Sequence, residues 1–352
     1  MSNEGTLLLD GDPNSPLGAT LPPGALLHGR DPFDAPSASE PWLDALDRLS
    51  TRIGVNAVPA SPAPVVPPRI AEVPDGALPR HGVGRWLGDG ERRRLAALRA
   101  ALAGDTDPFG LDISALERAL PAVLALYRYW FRVKSEGHEH LPRRGGAILV
   151  ANHGGLLPFD GAMAAADALL HTDPPRVLRP LVARFVRDLP LLRDFYAGTG
   201  PVVGTRDNFR ALLDRREMVL VFPEGVAGIK KTMPDRYRLQ HFHCGFVEEA
   251  VRFRVPVIPV AIIGPDDQAP ILYDLKSIAR FLGLPTFPIT PTFPWLGPLG
   301  LLPYPVRYRI IYGEPLALHA QLPREAADDR PRMEEMAARV RETIQHLVDR
   351  NR

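Results

Sequence analysis

From Val133 onward the chain alternates short apolar runs with helix-length segments, and this alternation restricts its fold more than any other feature. The runs are 145–151 (GGAILVA), 177–183 (VLRPLVA), 200–204 (GPVVG), 218–222 (MVLVF), 255–263 (VPVIPVAII) and 306–312 (VRYRIIY). Between several of them lie segments long enough for helices: Asp160 to Leu170, Asn208 to Arg216 and Gly245 to Arg254. Strands that are apolar throughout are covered on both faces. The pattern therefore predicts an α/β domain over 133–352, with a mostly parallel sheet covered by helices. A last helix is expected over about Arg332 to Asp349, where Met333, Met336, Val340, Ile344 and Leu347 recur at helical spacing.

Upstream the pattern changes. Residues 1–80 hold fourteen of the 39 prolines and show no sustained period, which predicts a disordered, proline-rich tail. Within it Trp42, Leu46 and Leu49 share one face of a helix too short to be stable alone. Residues 81–132 read as a helical lead-in: an arginine-rich amphipathic helix from Glu91 to Leu102, then a second stretch from Leu111 to Phe131 ending in YRYWF. Net charge is only +1, but residues 176–216 carry nine arginines against four aspartates, a segment that would draw an anionic partner. One cysteine excludes a disulfide framework and is compatible with a cytoplasmic compartment. The first residues lack the basic and apolar regions of a secretory signal, and no stretch has the character of a spanning helix.

In sheets of this kind ligands gather where strands end. The first run ends in Asn152-His153, followed by Gly154 and Gly155, which permit close backbone approach, and by Asp160 at the start of the next helix. An imidazole titrates in the useful range, and a carboxylate on its far nitrogen fixes the tautomer, so this arrangement suits a general base. It equally suits a loop histidine and a helix cap. The third run leads into Gly204-Thr205-Arg206-Asp207-Asn208, polar groups at a helix start suited to an anion or to plain solvation. The fourth ends in Phe222-Pro223-Glu224-Gly225 and continues to Lys230-Lys231. There Glu224 can satisfy backbone donors in a tight turn, and the lysines can be a solvated pair. His241-Phe242-His243-Cys244 has no acidic or histidine partner at a telling distance, so no metal is expected there, and Cys244 lies in no reactive motif.

In this order, NH…D, G-T-R-x-N, FPEG and the VPVIPVAI strand resemble the four blocks of the glycerolipid acyltransferase family, the lysophosphatidic acid acyltransferases and their relatives. The likeness covers roughly residues 125 to 315. It implies transfer of an acyl chain from acyl-CoA or acyl carrier protein to a hydroxyl of a lysophospholipid or glycerol phosphate, with no metal or redox cofactor and no nucleic acid. It implies His153 as general base and Asp160 as its orienting carboxylate. It places Thr205, Arg206 and Asn208 on the substrate side, with Arg206 gripping the acceptor phosphate, and gives Glu224 and Gly225 the shaping of the acceptor site. This sequence departs from the family pattern twice. Six residues separate His153 from Asp160 instead of four, with Pro158 at the usual aspartate position, so the loop must bulge to keep the pair together. Val226 and Ala227 follow FPEG where threonine and arginine are usual, which removes a cation that Lys230 or Lys231 can replace. A hydrolase using the same pair on water, and a non-catalytic lipid-binding module, are the alternatives. The chain lacks a Gly-x-Ser-x-Gly elbow, which disfavours a serine hydrolase.

Residues 281–306 run 26 positions without a charge, and Pro285, Pro288, Pro291 and Pro294 recur every third residue. Such a segment cannot be a spanning helix. It is either a polyproline-like loop packed over the domain or an apolar surface pressed into a lipid headgroup layer. The YRYWF cluster offers the same choice between core and interface. In a lipid enzyme both point to peripheral attachment, on the cytoplasmic face of a membrane.

Overall fold

The computed structural model describes residues 87–102, 106–183, 198–282, 286–320 and 322–352. The proline-rich stretch 1–80, including the helical face at Trp42, lies outside the described residues, as does 184–197.

Seven strands form one sheet: β1 (Lys134–Glu136), β2 (Ala147–Ala151), β3 (Leu178–Val182), β4 (Val202–Val203), β5 (Met218–Val221), β6 (Val257–Ile263) and, after a separate ribbon of β7 (Tyr273–Asp274) and β8 (Pro288–Ile289), β9 (Arg309–Tyr312). The order across the sheet is β1-β9-β6-β2-β5-β3-β4. The strands β2 to β6 run parallel. β9 pairs antiparallel to β6 and parallel to β1, so these two run the other way. Each of the six apolar runs contains a strand. Every residue of β2 and β6 is buried, as expected of strands covered on both faces. β1 carries no apolar signal: Lys134, Ser135 and Glu136 form a polar edge held only against β9.

The helices are α1 (Asp89–Ala101), α2 (Ile113–Ala125), α3 (Phe159–His171), α4 (Arg206–Asp214), α5 (Gly245–Phe253), α6 (Lys276–Leu282) and α7 (Arg330–Asn351). On one face of the sheet α4, α5 and α7 bury Phe209, Leu212, Val247 and Ile344 against Val150, Val219 and Val257. Along α7 the buried stripe is Met333, Met336, Val340, Ile344 and Val348, while Leu347 is only partly buried. The other face is covered by α3 and by the turn 126–130, with Met163, Ala164 and Phe131 against Leu149, Leu220 and Ile258.

The lead-in helices make a smaller core of their own, Leu95, Leu98, Ile113 and Leu120 with Leu169 of α3. Polar devices fasten them. Asp112 caps α2 by accepting from the amides of Ser114 and Ala115. Arg94 donates to the carbonyls of Leu169 (3.2 Å) and Thr172 (2.6 Å), satisfying the C-terminal end of α3. The fully buried Arg179 pairs with Asp107 at 2.9 Å. This packing sets α2 against α3, while the parallel pairing of β2 with β5 and β6 puts their carboxyl ends at one edge, where the site forms.

Candidate active site

β2 ends at Ala151, and the side chain of Asn152 extends the sheet beyond it. Its carboxamide donates to the carbonyl of Ile262 and accepts from the amide of the same residue, both at 2.8 Å. This fixes the strand tip from which His153 projects. Nδ1 of His153 lies 2.6 Å from Oδ2 of Asp160. Asp160 is fully buried in the first turn of α3, where it also accepts from the amides of Gly161 (2.8 Å) and Gly154 (3.3 Å). An ionised carboxylate only accepts, so in a neutral ring this contact selects the tautomer with the proton on Nδ1 and the lone pair on Nε2. The ring stacks on Phe222, with centroids 4.3 Å apart and 24° between planes.

The six-residue gap between histidine and aspartate is closed as the bulge requires, and protein occupies the space above the two glycines. The helical turn Pro265–Gln268 packs directly on them. A Cβ on Gly154 would stand 2.2 Å from Asp266 Oδ1, and one on Gly155, where φ is +76°, 1.9 Å from Gln268 Nε2. Gln268 in turn donates to the Leu157 carbonyl at 3.2 Å and accepts from the hydroxyl of Tyr308 at 2.5 Å.

Glu224 is buried beneath this loop and joins two segments, accepting from the amides of His153 (2.8 Å) and Gln240 (2.7 Å). Lys231 sits beside it, its side chain 2% exposed, with Nζ 3.3 Å from Asp266 Oδ2 and 3.7 Å from Glu224 Oε2. Burial pushes the carboxyls of both Glu224 and Asp266 above the usual range, with Lys231 opposing the shift. Of the two lysines offered by the sequence, Lys231 enters this buried cluster, while Lys230 is half-buried beside it. The sequence analysis missed Asp266; its place directly after Gly264-Pro265, where β6 ends, is the one signal that could have found it.

Around α4, Thr205 and Asn208 serve the helix start: the Thr205 hydroxyl accepts from the Asn208 amide at 3.2 Å, and the Asn208 side chain donates to the Val203 carbonyl at 3.0 Å. Arg206 is the first residue of the helix, about a third exposed, and donates to Glu248 at 3.2 Å. Arg210 forks onto Glu249. Gly225, with φ +54°, opens the turn Val226–Ile229. A Cβ on Gly228 in that turn would stand 2.7 Å from the His153 Cβ.

A cavity reaches His153 and is bounded almost wholly by carbon. Phe222, Gly225, Val226 and Ile229 line it near the histidine, and Ala165 and Leu169 of α3 face Leu116, Ala119 and Val123 of α2 within it. Cys244 is buried, and burial together with Glu248 pushes its thiol up to about 12, which leaves it inert. The rings of His241 and His243 lie edge to face at 5.6 Å.

Among the described residues one trio of metal-ligating side chains comes together, His138, Asp167 and His171, and it was not foreseen from the sequence. Asp167 accepts from the hydroxyls of Tyr127 (2.5 Å), Ser135 (2.6 Å) and Tyr312 (2.7 Å), with His171 Nδ1 at 3.2 Å and His138 Nε2 at 3.5 Å. A carboxylate offers about four lone-pair sites, of which the three hydroxyls take three; His171 Nδ1 also lies 2.9 Å from the Asp167 main-chain carbonyl and His138 Nε2 2.9 Å from the Ser135 hydroxyl, so the trio is a hydrogen-bonded core. Burial opposes ionisation of Asp167, but bonds from His138, His171, Ser135 and Tyr127 outweigh it and hold the carboxyl well below its usual range.

The acyltransferase family model matches residues 132–263, from just before β1 to the end of β6. Uncharacterized proteins of Mycobacterium bovis and Mycobacterium tuberculosis are each 43% identical over 261 residues, spanning 72% of this chain and 72% of their own length. A Gallus gallus protein named DGAT1/2-independent enzyme synthesizing storage lipids is 23% identical over 224 residues, 64% of this chain and 61% of that protein. The solved structure of the 1-acyl-sn-glycerophosphate (LPA) acyltransferase PlsC from Thermotoga maritima aligns at 20% identity with a TM-score of 0.40, covering 74% of this chain and 85% of that one. With the family match running through the strand tips that carry His153, Arg206 and Glu224, the chain belongs to the acyltransferase family and is an acyltransferase.

Proposed function

We propose that the chain moves a fatty acyl group from acyl-CoA or acyl carrier protein to a hydroxyl of a lysophospholipid or glycerol phosphate, with His153 as general base and Asp160 as its orienting carboxylate. The observation that carries this reading is the 2.6 Å contact between the two side chains beside a carbon-lined cavity. An alcohol is a poor nucleophile until its proton is removed as it attacks. Nε2 of His153 takes that proton while the hydroxyl oxygen bonds to the thioester carbonyl carbon. The carbon–sulfur bond then breaks, and the imidazolium, stabilised by Asp160, returns the proton to the departing thiolate. No acyl-enzyme is needed, because the thioester is already activated. The acyl chain lies in the cavity between α2 and α3, which keeps water from the reacting carbonyl.

Arg206 receives the acceptor phosphate, sharing its fork with Glu248, and so turns binding energy into orientation of the hydroxyl. Thr205 and Asn208 fix the helix start that presents Arg206, Glu224 and Gly225 shape the acceptor side, and Lys230 adds a nearby cation.

The test is product analysis with a panel of acyl thioesters and of phosphate-bearing and neutral hydroxyl acceptors, for the wild type and His153→Ala. Acylated acceptor should form with the wild type and fall by about 10²–10⁴-fold in the variant. Release of free fatty acid without acylated acceptor would assign the pair to hydrolysis instead.

A further inference from the structure

Exposed large apolar side chains are gathered on one part of this molecule. Among the described residues eleven such side chains are exposed, and nine of them fall between Leu272 and Leu302. Phe281 is 89% exposed, Trp295 75% and Leu299 69%. The remaining two, Tyr129 and Trp130, belong to the turn 126–130, and Trp130 Nε1 donates to the Pro303 carbonyl at 3.2 Å, tying that turn to the same segment. Single exposed apolar residues need no explanation, but a contiguous group of them does.

The segment is built to hold these side chains outward. Asp274 accepts from the Thr286 hydroxyl (2.8 Å) and the Phe287 amide (3.0 Å). Thr292 donates to the Gly300 carbonyl at 2.9 Å, and the rings of Phe287 and Phe293 lie 5.3 Å apart. Polar groups are thus satisfied within the segment while hydrocarbon faces out. The segment also starts beside the site. It leaves the carboxyl end of β6 through the turn Pro265–Gln268 that covers Gly154 and Gly155, and it returns to that turn where the Tyr304 amide donates to the Gln268 carbonyl at 2.8 Å.

The charges that border it are cationic. No charged residue falls within 281–306, while Lys276 and Arg280 of α6, Arg132 and Arg307 are all exposed at its margins, and the three acids on the approach to α6 are engaged: Asp266 is buried against Lys231, Asp267 pairs with Arg236, and Asp274 turns inward to Thr286 and Phe287. An apolar centre with a cationic border complements an anionic lipid layer, whereas a second copy of the chain would oppose the same cations to one another. We infer that this surface docks the enzyme onto an anionic bilayer, with Phe281, Trp295 and Leu299 entering the interfacial layer and Lys276 and Arg280 meeting headgroups. The lipid nature of the partner rests on the acyltransferase reading, but binding is measured without turnover, so the two fail separately.

The test is co-sedimentation of the full chain with vesicles of phosphatidylcholine alone and of phosphatidylcholine mixed with phosphatidylglycerol. Wild type should bind the mixed vesicles. Combined Phe281→Ser, Trp295→Ser and Leu299→Ser should lower partitioning by about tenfold or more, and Lys276→Glu with Arg280→Glu should lower it on mixed vesicles, as should raised salt. Turnover of short-chain, monomeric substrates should be unchanged in both variants. Phe281→Ser alone, at the most exposed position, is the fallback if the triple variant folds poorly. Wild type that ignores mixed vesicles, or apolar variants that partition like wild type, would overturn the inference. So would a wild-type dimer that the triple variant splits without change in vesicle binding, because the surface would then be a protein interface.

Discussion

Asp160 and Asp167 lie seven residues apart on α3, two turns along one face, and both are fully buried. One faces a single imidazole beside the cavity; the other is enclosed by three hydroxyls and two histidines. The same substitution should therefore separate chemistry from stability. Asp160→Asn is expected to lower acyl transfer by about 10²–10⁴-fold, because the amide no longer fixes the imidazole tautomer. Asp167→Asn is expected to cost about 2–4 kcal/mol of stability, by leaving buried donors without a charged acceptor, and to leave turnover per folded molecule intact. Melting curves and steady-state rates on both variants check this, and an inactive but fully stable Asp167→Asn would reverse the assignment.

The Asp167 network also makes stability depend on pH. Its hydrogen bond raises the His171 imidazole above the ordinary value of 6.5. A raised value in the folded state means that the protonated ring favours the fold. That contribution is complete below the ordinary value and is lost as pH rises through the folded one. The difference in Tm between wild type and His171→Gln should be largest below about pH 6 and shrink above neutrality. A gap that widens with pH would contradict the arrangement.

Lys231 is the cation between two buried carboxylates, Glu224 and Asp266. Replacing it with methionine leaves both acids without a counter-charge and pushes the Glu224 carboxyl further up. Glu224 accepts the His153 amide as a carboxylate, so the acidic limb of the rate profile should move to higher pH in Lys231→Met, with turnover reduced about tenfold or more. Lys231→Arg should recover part of the loss. An unchanged acidic limb would show that Lys231 serves packing alone.

Ala119 lines the part of the cavity formed by α2. Ala119→Phe fills that space, and a well-packed interior yields little to added volume. Turnover should shift toward shorter acyl thioesters, with long-chain substrates losing about tenfold and short ones nearly unaffected. Competition assays with mixed chain lengths read this directly. Equal loss at every length would place the acyl chain elsewhere.

Strands β2, β5 and β6 were legible because burial on both faces leaves an uninterrupted apolar run, and β3 and β9 were legible although Arg179 and Arg309 interrupt theirs. β1 was not, since Lys134, Ser135 and Glu136 are polar and owe their place to the Arg309–Tyr312 backbone. His153 and Asp160 were legible from their place at a strand tip and a helix start. The choice of Lys231 over Lys230 was not, because adjacent lysines differ only in the direction they leave the turn Val226–Ile229. The YRYWF cluster divides: Tyr127 and Phe131 are buried while Tyr129 and Trp130 are exposed, a split fixed by the turn's five-residue hydrogen bond from Phe131 to Leu126. In 281–306 the three-residue proline spacing suggests an extended helix, yet Pro288–Ile289 pair with β7 and 297–301 form a tight turn, because the side chains of Thr290 and Thr292 take up local backbone groups.

The most direct measurement is the protonation pattern of the His153 ring, read by nitrogen NMR on histidine-labelled protein near neutral pH. A neutral ring with its proton on Nδ1 and an unprotonated Nε2, converting to a mixture of tautomers in Asp160→Asn, is the predicted result. A proton resident on Nε2 in the wild type, unaffected by that substitution, would contradict the assignment of His153 as the group that accepts a lipid alcohol's proton.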